Sequence, residues 1–146
     1  MEYQTNSAQE TQKIAREFVE NLSPKEDGAL VVGISGDLGA GKTTFIQGLA
    51  GSLGVEEKIL SPTFVIMKRF EIGGGKFANL YHFDFYRLET EKDLQGMDFE
   101  EIMSGPRNLV LIEWAEKLKN VLPKDAIWIK FEHGGEDKRK IIFNFQ

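Results

Sequence analysis

Gly36-Asp37-Leu38-Gly39-Ala40-Gly41-Lys42-Thr43 fits the pattern G-x-x-x-x-G-K-[ST]. Glycines at that spacing let the chain curl until successive N–H groups point inward, which makes a concave anion site. A helix starting near Lys42 would aim the positive end of its dipole at the same place. The Lys42 ammonium is then within reach of β- and γ-phosphates, and the Thr43 hydroxyl is the expected ligand for Mg²⁺.

Phosphates held by amides still need a metal ion and an oriented water, and both call for carboxylates at strand ends. Glu113 follows Leu109-Val110-Leu111-Ile112, and Asp84 ends the strand-like run 78–83. One acid would hold the metal through water and the other would orient the attacking water or sense the γ-phosphate; spacing does not decide which. Ser61-Pro62-Thr63 lies in the loop after the P-loop helix, where many nucleotide switches place a threonine on Mg²⁺ or the γ-phosphate. By itself that tripeptide is a turn at the start of a strand. Arg87 is a candidate phosphate partner, although a lone arginine is more often a surface charge. Trp114 suits stacking on a base or a partner, or else the core. His82 alternates with its strand neighbours and reads as structural.

The elements that position these residues follow from periodicity. Ser7 and Glu10 form a capping-box pattern ahead of an apolar helical stripe at Ile14, Ala15, Phe18, Val19 and Leu22, stopped by Pro24. Thr11, one turn earlier, leans toward the packed side. The apolar run 29–34 reads as a buried parallel strand before the glycine loop. Phe45, Ile46, Leu49, Ala50 and Leu53 mark the helix after it, with Gly51 and Gly54 at its stop. Runs 64–72 and 76–83 around Gly73-Gly74-Gly75 predict a β-hairpin, with Phe64, Ile66, Phe70 and Ile72 on one face that Lys68 leaves partly open. Thr90 and Asp98 are expected N-caps of short helices over 91–95 and 99–103. Strand 109–113, helix 114–121 and a second hairpin from runs 126–132 and 139–145 complete the chain. This order predicts an α/β three-layer sandwich of the P-loop NTPase kind in one domain over 1–146. Its central sheet is mixed and mostly parallel, flanked by helices, with antiparallel hairpins.

Composition narrows the function. The formal net charge is −5, and the only dense basic run is Lys138-Arg139-Lys140, which suits a solvated strand or turn. A chain gripping a nucleic-acid backbone usually carries a basic surplus, so direct binding of DNA or RNA is not expected. No apolar run approaches the roughly 20 residues of a membrane helix. The absence of cysteine excludes disulfides and common zinc sites. With polar residues 1–6, these features favour the cytoplasm.

Four blocks occur in order: Gly-Asp-Leu-Gly-Ala-Gly-Lys-Thr-Thr (36–44), Ser-Pro-Thr (61–63), His-Phe-Asp-x-Tyr-Arg-Leu (82–88) and Ile-Glu-Trp (112–114). Together they closely resemble the TsaE (YjeE) family, the ATPase of bacterial threonylcarbamoyladenosine biosynthesis on tRNA. The resemblance implies ATP and Mg²⁺ as cofactors, with Asp37, Leu38, Gly39, Ala40, Gly41, Lys42, Thr43 and Thr44 forming the nucleotide contact. It implies that Lys42 neutralises the β/γ charge, that Thr43 and Glu113 serve the metal, and that Asp84 is the second acid of hydrolysis. Thr63 becomes the switch-like residue, Trp114 a nucleotide or partner contact, and Thr11 with the last hairpin the flanks of the adenine. Family members work with the TsaD–TsaB pair, so tRNA would be met through that complex, and hydrolysis resets it between turnovers.

Three other readings compete. A small-molecule kinase also joins a P-loop to a compact α/β domain, but it needs an acceptor pocket and usually an Arg-bearing lid, and no Arg-rich insertion is present. A GTPase lacks support because no Asn-Lys-x-Asp occurs. A nucleotide-gated binding module with incidental hydrolysis shades into the first reading, since intrinsic turnover is expected to be low until a partner completes the site.

Overall fold

A computed structural model describes residues 1–36, 41–57, 66–136 and 138–144. A seven-stranded sheet runs through it in the order β1-β7-β6-β2-β5-β4-β3. Its centre is parallel: β2 (Leu30–Gly36) pairs with both β5 (Asn108–Glu113) and β6 (Ile127–His133), and β5 pairs with β4 (Asn79–Asp84). Both margins are antiparallel, where β3 (Met67–Glu71) pairs with β4, and β7 (Arg139–Phe143) joins β6 to β1 (Glu2–Thr5). The mixed sheet expected from the two hairpins is therefore present. Strand β1 was not expected, because four residues ahead of a helix cap carry too short a pattern to register.

Helices α1 (Ala8–Glu20) and α2 (Lys42–Ser52) pack against each other on one face of the sheet. They cover Ile34, Leu111, Phe131 and Ile141, with Phe45 fully buried and edge-on to Phe131. Gly48 permits this approach, since a Cβ there would stand 2.9 Å from the Gln12 Cα. On the other face, α3 (Phe99–Met103) and the connecting segments enclose Phe83, Phe85, Ile112 and Leu118. Burying one such phenylalanine contributes about 1.5–3 kcal/mol, so the two clusters hold the sheet as the middle layer. Among the described residues no helix is long and apolar enough to cross a membrane.

Local signals worked where the chemistry was local. Ser7 Oγ accepts the Glu10 N–H at 3.1 Å, as a cap should, while the Glu10 carboxylate reaches one residue further than a standard capping box and takes the Asn6 N–H. At the other end of α1, the Lys76 ammonium donates to the carbonyls of Val19, Glu20 and Leu22, satisfying groups the last turn leaves open. Three expectations are corrected. Residues 115–121 form a 3₁₀ run broken at Leu118 (φ −135°, ψ 58°) in place of an α-helix. Asp98 adopts a left-handed conformation and makes no side-chain cap. Ile66 packs in the cluster around Phe83, opposite the one holding Phe70 and Ile72, so the three do not share a face. Lys68 is exposed as expected, and Phe64 lies outside the described residues.

Candidate nucleotide site

Three adjacent parallel strands end together. Asp84 closes β4 and stands opposite Glu113, which closes β5; Glu113 in turn stands opposite Ile34, two residues before β2 ends at Gly36. A Cβ on Gly36 would run into the Phe131 carbonyl, so only glycine lets β2 leave the sheet beside β6 here. The Lys42 side chain reaches back to the end of β2. Its ammonium, on a side chain 5% exposed, donates to the Gly36 carbonyl at 2.6 Å and lies 4.0 Å from the centre of the Trp114 ring. Gly41, at φ 94°, is the N-cap of α2 and brings no capping side chain. The first N–H groups of that helix are left available to an anion.

The acids are fixed differently. Asp84 Oδ1 accepts the Tyr86 N–H at 2.9 Å. Burial pushes the Asp84 carboxyl above the ordinary carboxylate range; the Tyr86 N–H opposes this, Glu113 adds to it, and His82 and Lys42 oppose it. Glu113 is buried, and its Oε2 lies 2.6 Å from His82 Nε2, also buried. His82 is thus structural in the sense expected, but the group it touches is the candidate acid.

Two neighbours were missed. Glu116, half-buried on the 3₁₀ run, has an Oε1 with no hydrogen-bond partner among the described residues. Burial raises its pKa, against the pull of Lys42 and of the N–H groups of Glu116 and Gly36. Arg139, which the basic triplet placed on a solvated strand or turn, opens β7 but lays its side chain beside Gly41, 3.2 Å from where a Cβ would stand. With Ser7, Ala8, Thr11, Gly41 and Thr44 it lines a small cleft next to the start of α2. No local spacing marks either residue, because a turn brings one into place and long-range strand pairing the other.

Thr11 is buried on this cleft with its hydroxyl 2.7 Å from that of Thr5. Thr43 is exposed in the first turn of α2, and Arg87 is exposed. Trp114 sits between Lys42 and Tyr86, whose ring centre is 5.0 Å away. Its own backbone is left-handed (φ 57°), a conformation a bulky residue rarely adopts and one that costs about 1–3 kcal/mol. Asp37, Leu38, Gly39, Ala40 and Thr63 lie outside the described residues. A second cleft, beside α3, is edged by Glu91, Asp98, Glu100 and Glu101 and has no cation among the described residues that line it, so it does not suit a phosphate.

The donor set fits a nucleoside triphosphate and a hard divalent cation. Two carboxylates meet at neighbouring strand ends; burial holds Asp84 above its usual range and the Glu113 charge adds to this, a smaller effect that a cation would relieve. A hydroxyl and carboxylates are oxygen donors of the sort Mg²⁺ takes, completed by phosphate and water.

The family model for "Threonylcarbamoyl adenosine biosynthesis protein TsaE" matches residues 5–141. The tRNA threonylcarbamoyladenosine biosynthesis protein TsaE of Bacillus subtilis is 36% identical over 143 residues, covering 98% of this chain and 84% of that protein. The protein of the same description from Rickettsia felis is 35% identical over 135 residues, 92% of this chain and 74% of its own length. The crystal structure of Bacillus subtilis YdiB superposes with a TM-score of 0.74 at 34% identity, covering 98% of this chain and 83% of that one. The chain belongs to the TsaE family, whose members take part in tRNA threonylcarbamoyladenosine biosynthesis.

Proposed function

We propose that this chain is the ATP-binding and ATP-hydrolysing component of the threonylcarbamoyladenosine machinery, acting with a TsaD–TsaB pair. The observation that carries the reading is the meeting of Lys42, Asp84 and Glu113 at the ends of β2, β4 and β5, beside the uncapped start of α2. Amides of residues 37–44 and the Lys42 ammonium hold the phosphates. Thr43 and Glu113 serve Mg²⁺, which when bound supplies charge neutralisation on the phosphate oxygens. Asp84, held at the mouth of the site by a main-chain N–H, orients the water that attacks the γ-phosphorus. Thr63 reports the γ-phosphate to its loop. The cleft of Ser7, Thr11, Thr44 and Arg139 takes the adenosine end, because it adjoins the helix start and Arg139 comes from β7, across β2 from the strands that carry the acids.

The reading accounts for the charge. An acidic chain makes a poor RNA clamp, so tRNA contact falls to the partner. It also implies slow turnover alone, as in phosphoryl-transfer sites that need a second protein. The test is ATP affinity and hydrolysis with and without TsaD–TsaB, alongside a pull-down with an ATP analogue against ADP. Faster turnover with the pair and nucleotide-dependent capture are expected. Failure to retain ATP, or a pair that alters neither affinity nor rate, overturns the proposal.

A further inference from the structure

We infer that His82 is a positioning residue for Glu113, fixing which carboxylate oxygen faces the metal; this rests on the nucleotide reading above. His82 stands opposite Leu111 in the β4–β5 register, so its ring lies one pleat before Glu113 on the neighbouring strand. Nε2 and Oε2 are 2.6 Å apart, and the two side chains are 2% and 4% exposed. A carboxylate accepts and does not donate, so the ring nitrogen supplies the hydrogen. Among the described residues, neither side chain has another hydrogen-bond partner.

Stability does not explain this pair. Two buried polar side chains that satisfy only each other are typically no better than a well-packed apolar pair, and often worse. What the contact does supply is order. Glutamate has three side-chain torsions, and an acid at a strand end would otherwise sample several rotamers. The bond to His82 consumes Oε2 inside the core and leaves Oε1 as the oxygen free to serve a ligand. Asp84 needs no such partner because the Tyr86 N–H already holds its Oδ1. The two acids are thus set by different means, one by the main chain and one by a side chain on the adjacent strand.

Outer partners of metal-binding side chains are commonly worth about 10–100-fold in metal affinity, which sets the scale of the test. Two quantities are measured on the whole chain: ATP binding in EDTA, and Mn²⁺ binding to the ATP-loaded protein, read from the free Mn²⁺ resonance. His82→Leu should weaken Mn²⁺ binding by about 10-fold or more while ATP binding in EDTA stays within about twofold. His82→Gln, whose amide N–H reaches the same place, should return Mn²⁺ affinity to within about threefold of the parent. Parent-like Mn²⁺ affinity in folded His82→Leu, or no rescue by His82→Gln, overturns the inference. If far-UV circular dichroism shows that His82→Leu does not fold, His82→Asn replaces it, since its amide is too short to span the contact. Equal Mn²⁺ affinity in the Asn and Gln variants then overturns it. A parent protein that binds no ATP at all would instead defeat the nucleotide reading.

Discussion

The Lys42 ammonium rests over the face of Trp114, 4.0 Å from its centre, while donating to the Gly36 carbonyl. A cation this close to an indole is worth about 0.5–2 kcal/mol, and it links Lys42 to the first residue after Glu113. Trp114 emission should therefore report the lysine. In a Trp128→Phe background, which leaves Trp114 as the sole tryptophan, Lys42→Ala should shift the emission before any nucleotide is added. ATP should shift it in the parent and leave it unchanged in Lys42→Ala, where most nucleotide binding is lost. An identical spectrum in the two nucleotide-free proteins would break the link.

Asp84 should trade activity against stability. Its folded pKa lies above the ordinary 3.8, chiefly because burial disfavours the charged form. The folded state therefore binds the proton more tightly than the unfolded one. Stability is greatest below the unfolded value and falls as pH rises from there through the folded one. Asp84→Asn removes that loss, so it should melt higher than the parent at pH 7.5, with the advantage shrinking at pH 4. The same variant should lower kcat by about 10²-fold or more with little change in ATP affinity, because the role proposed for the carboxylate is to orient the water and not to bind the nucleotide. An equal or lower melting temperature at pH 7.5 would contradict the burial argument, and normal turnover would remove Asp84 from the reaction.

The order of elements was legible in sequence because each carries its own period. The buried runs that became β2 and β5 and the stripe of α1 declare themselves within a dozen residues. Both candidate acids stood out because an acid ending an apolar run is visible locally. What was not visible depends on pairing across the chain. Arg139 reaches Gly41 only because β7 pairs with β6 and β1. His82 reaches Glu113 only through the β4–β5 register. Glu116 turns under Lys42 because Trp114 takes a left-handed turn and the following segment tightens to 3₁₀, where helical periodicity promised an ordinary helix.

Arg139 lies at the proposed adenosine end of the site, against Gly41 and on β7, across β2 from the strands that carry the acids. Arg139→Ala should weaken ATP and ADP alike, by about 10-fold, which is about 1.4 kcal/mol, and leave kcat at saturating ATP within about twofold. Gly41→Ala should cost more. Its φ of 94° disfavours any side chain, and the added methyl group would press on the Arg139 stem at 3.2 Å. Strain of about 1–3 kcal/mol is expected, with a lower melting temperature and weaker nucleotide binding together. Titration calorimetry with both nucleotides checks the pair, and an Arg139→Ala defect confined to ATP would move that residue to the γ-phosphate end.

Glu116 adds a negative charge next to Lys42, where the proposed ligand is itself an anion. Burial raises its pKa above the usual 4.5, and one of its oxygens has no partner among the described residues. Its carboxylate competes with phosphate for the lysine and repels the incoming charge. Glu116→Gln keeps the shape and removes both effects, so ATP affinity should rise by about threefold or more at low salt. The gain should shrink as ionic strength increases, because part of it acts through partly exposed charge. The sign of the stability effect matches that of Asp84: the variant should melt higher than the parent at neutral pH, where the parent must keep a disfavoured charge, and lose that advantage below the unfolded pKa. Weaker ATP binding in Glu116→Gln would mean that the carboxylate holds Lys42 in its working position and does not oppose the ligand.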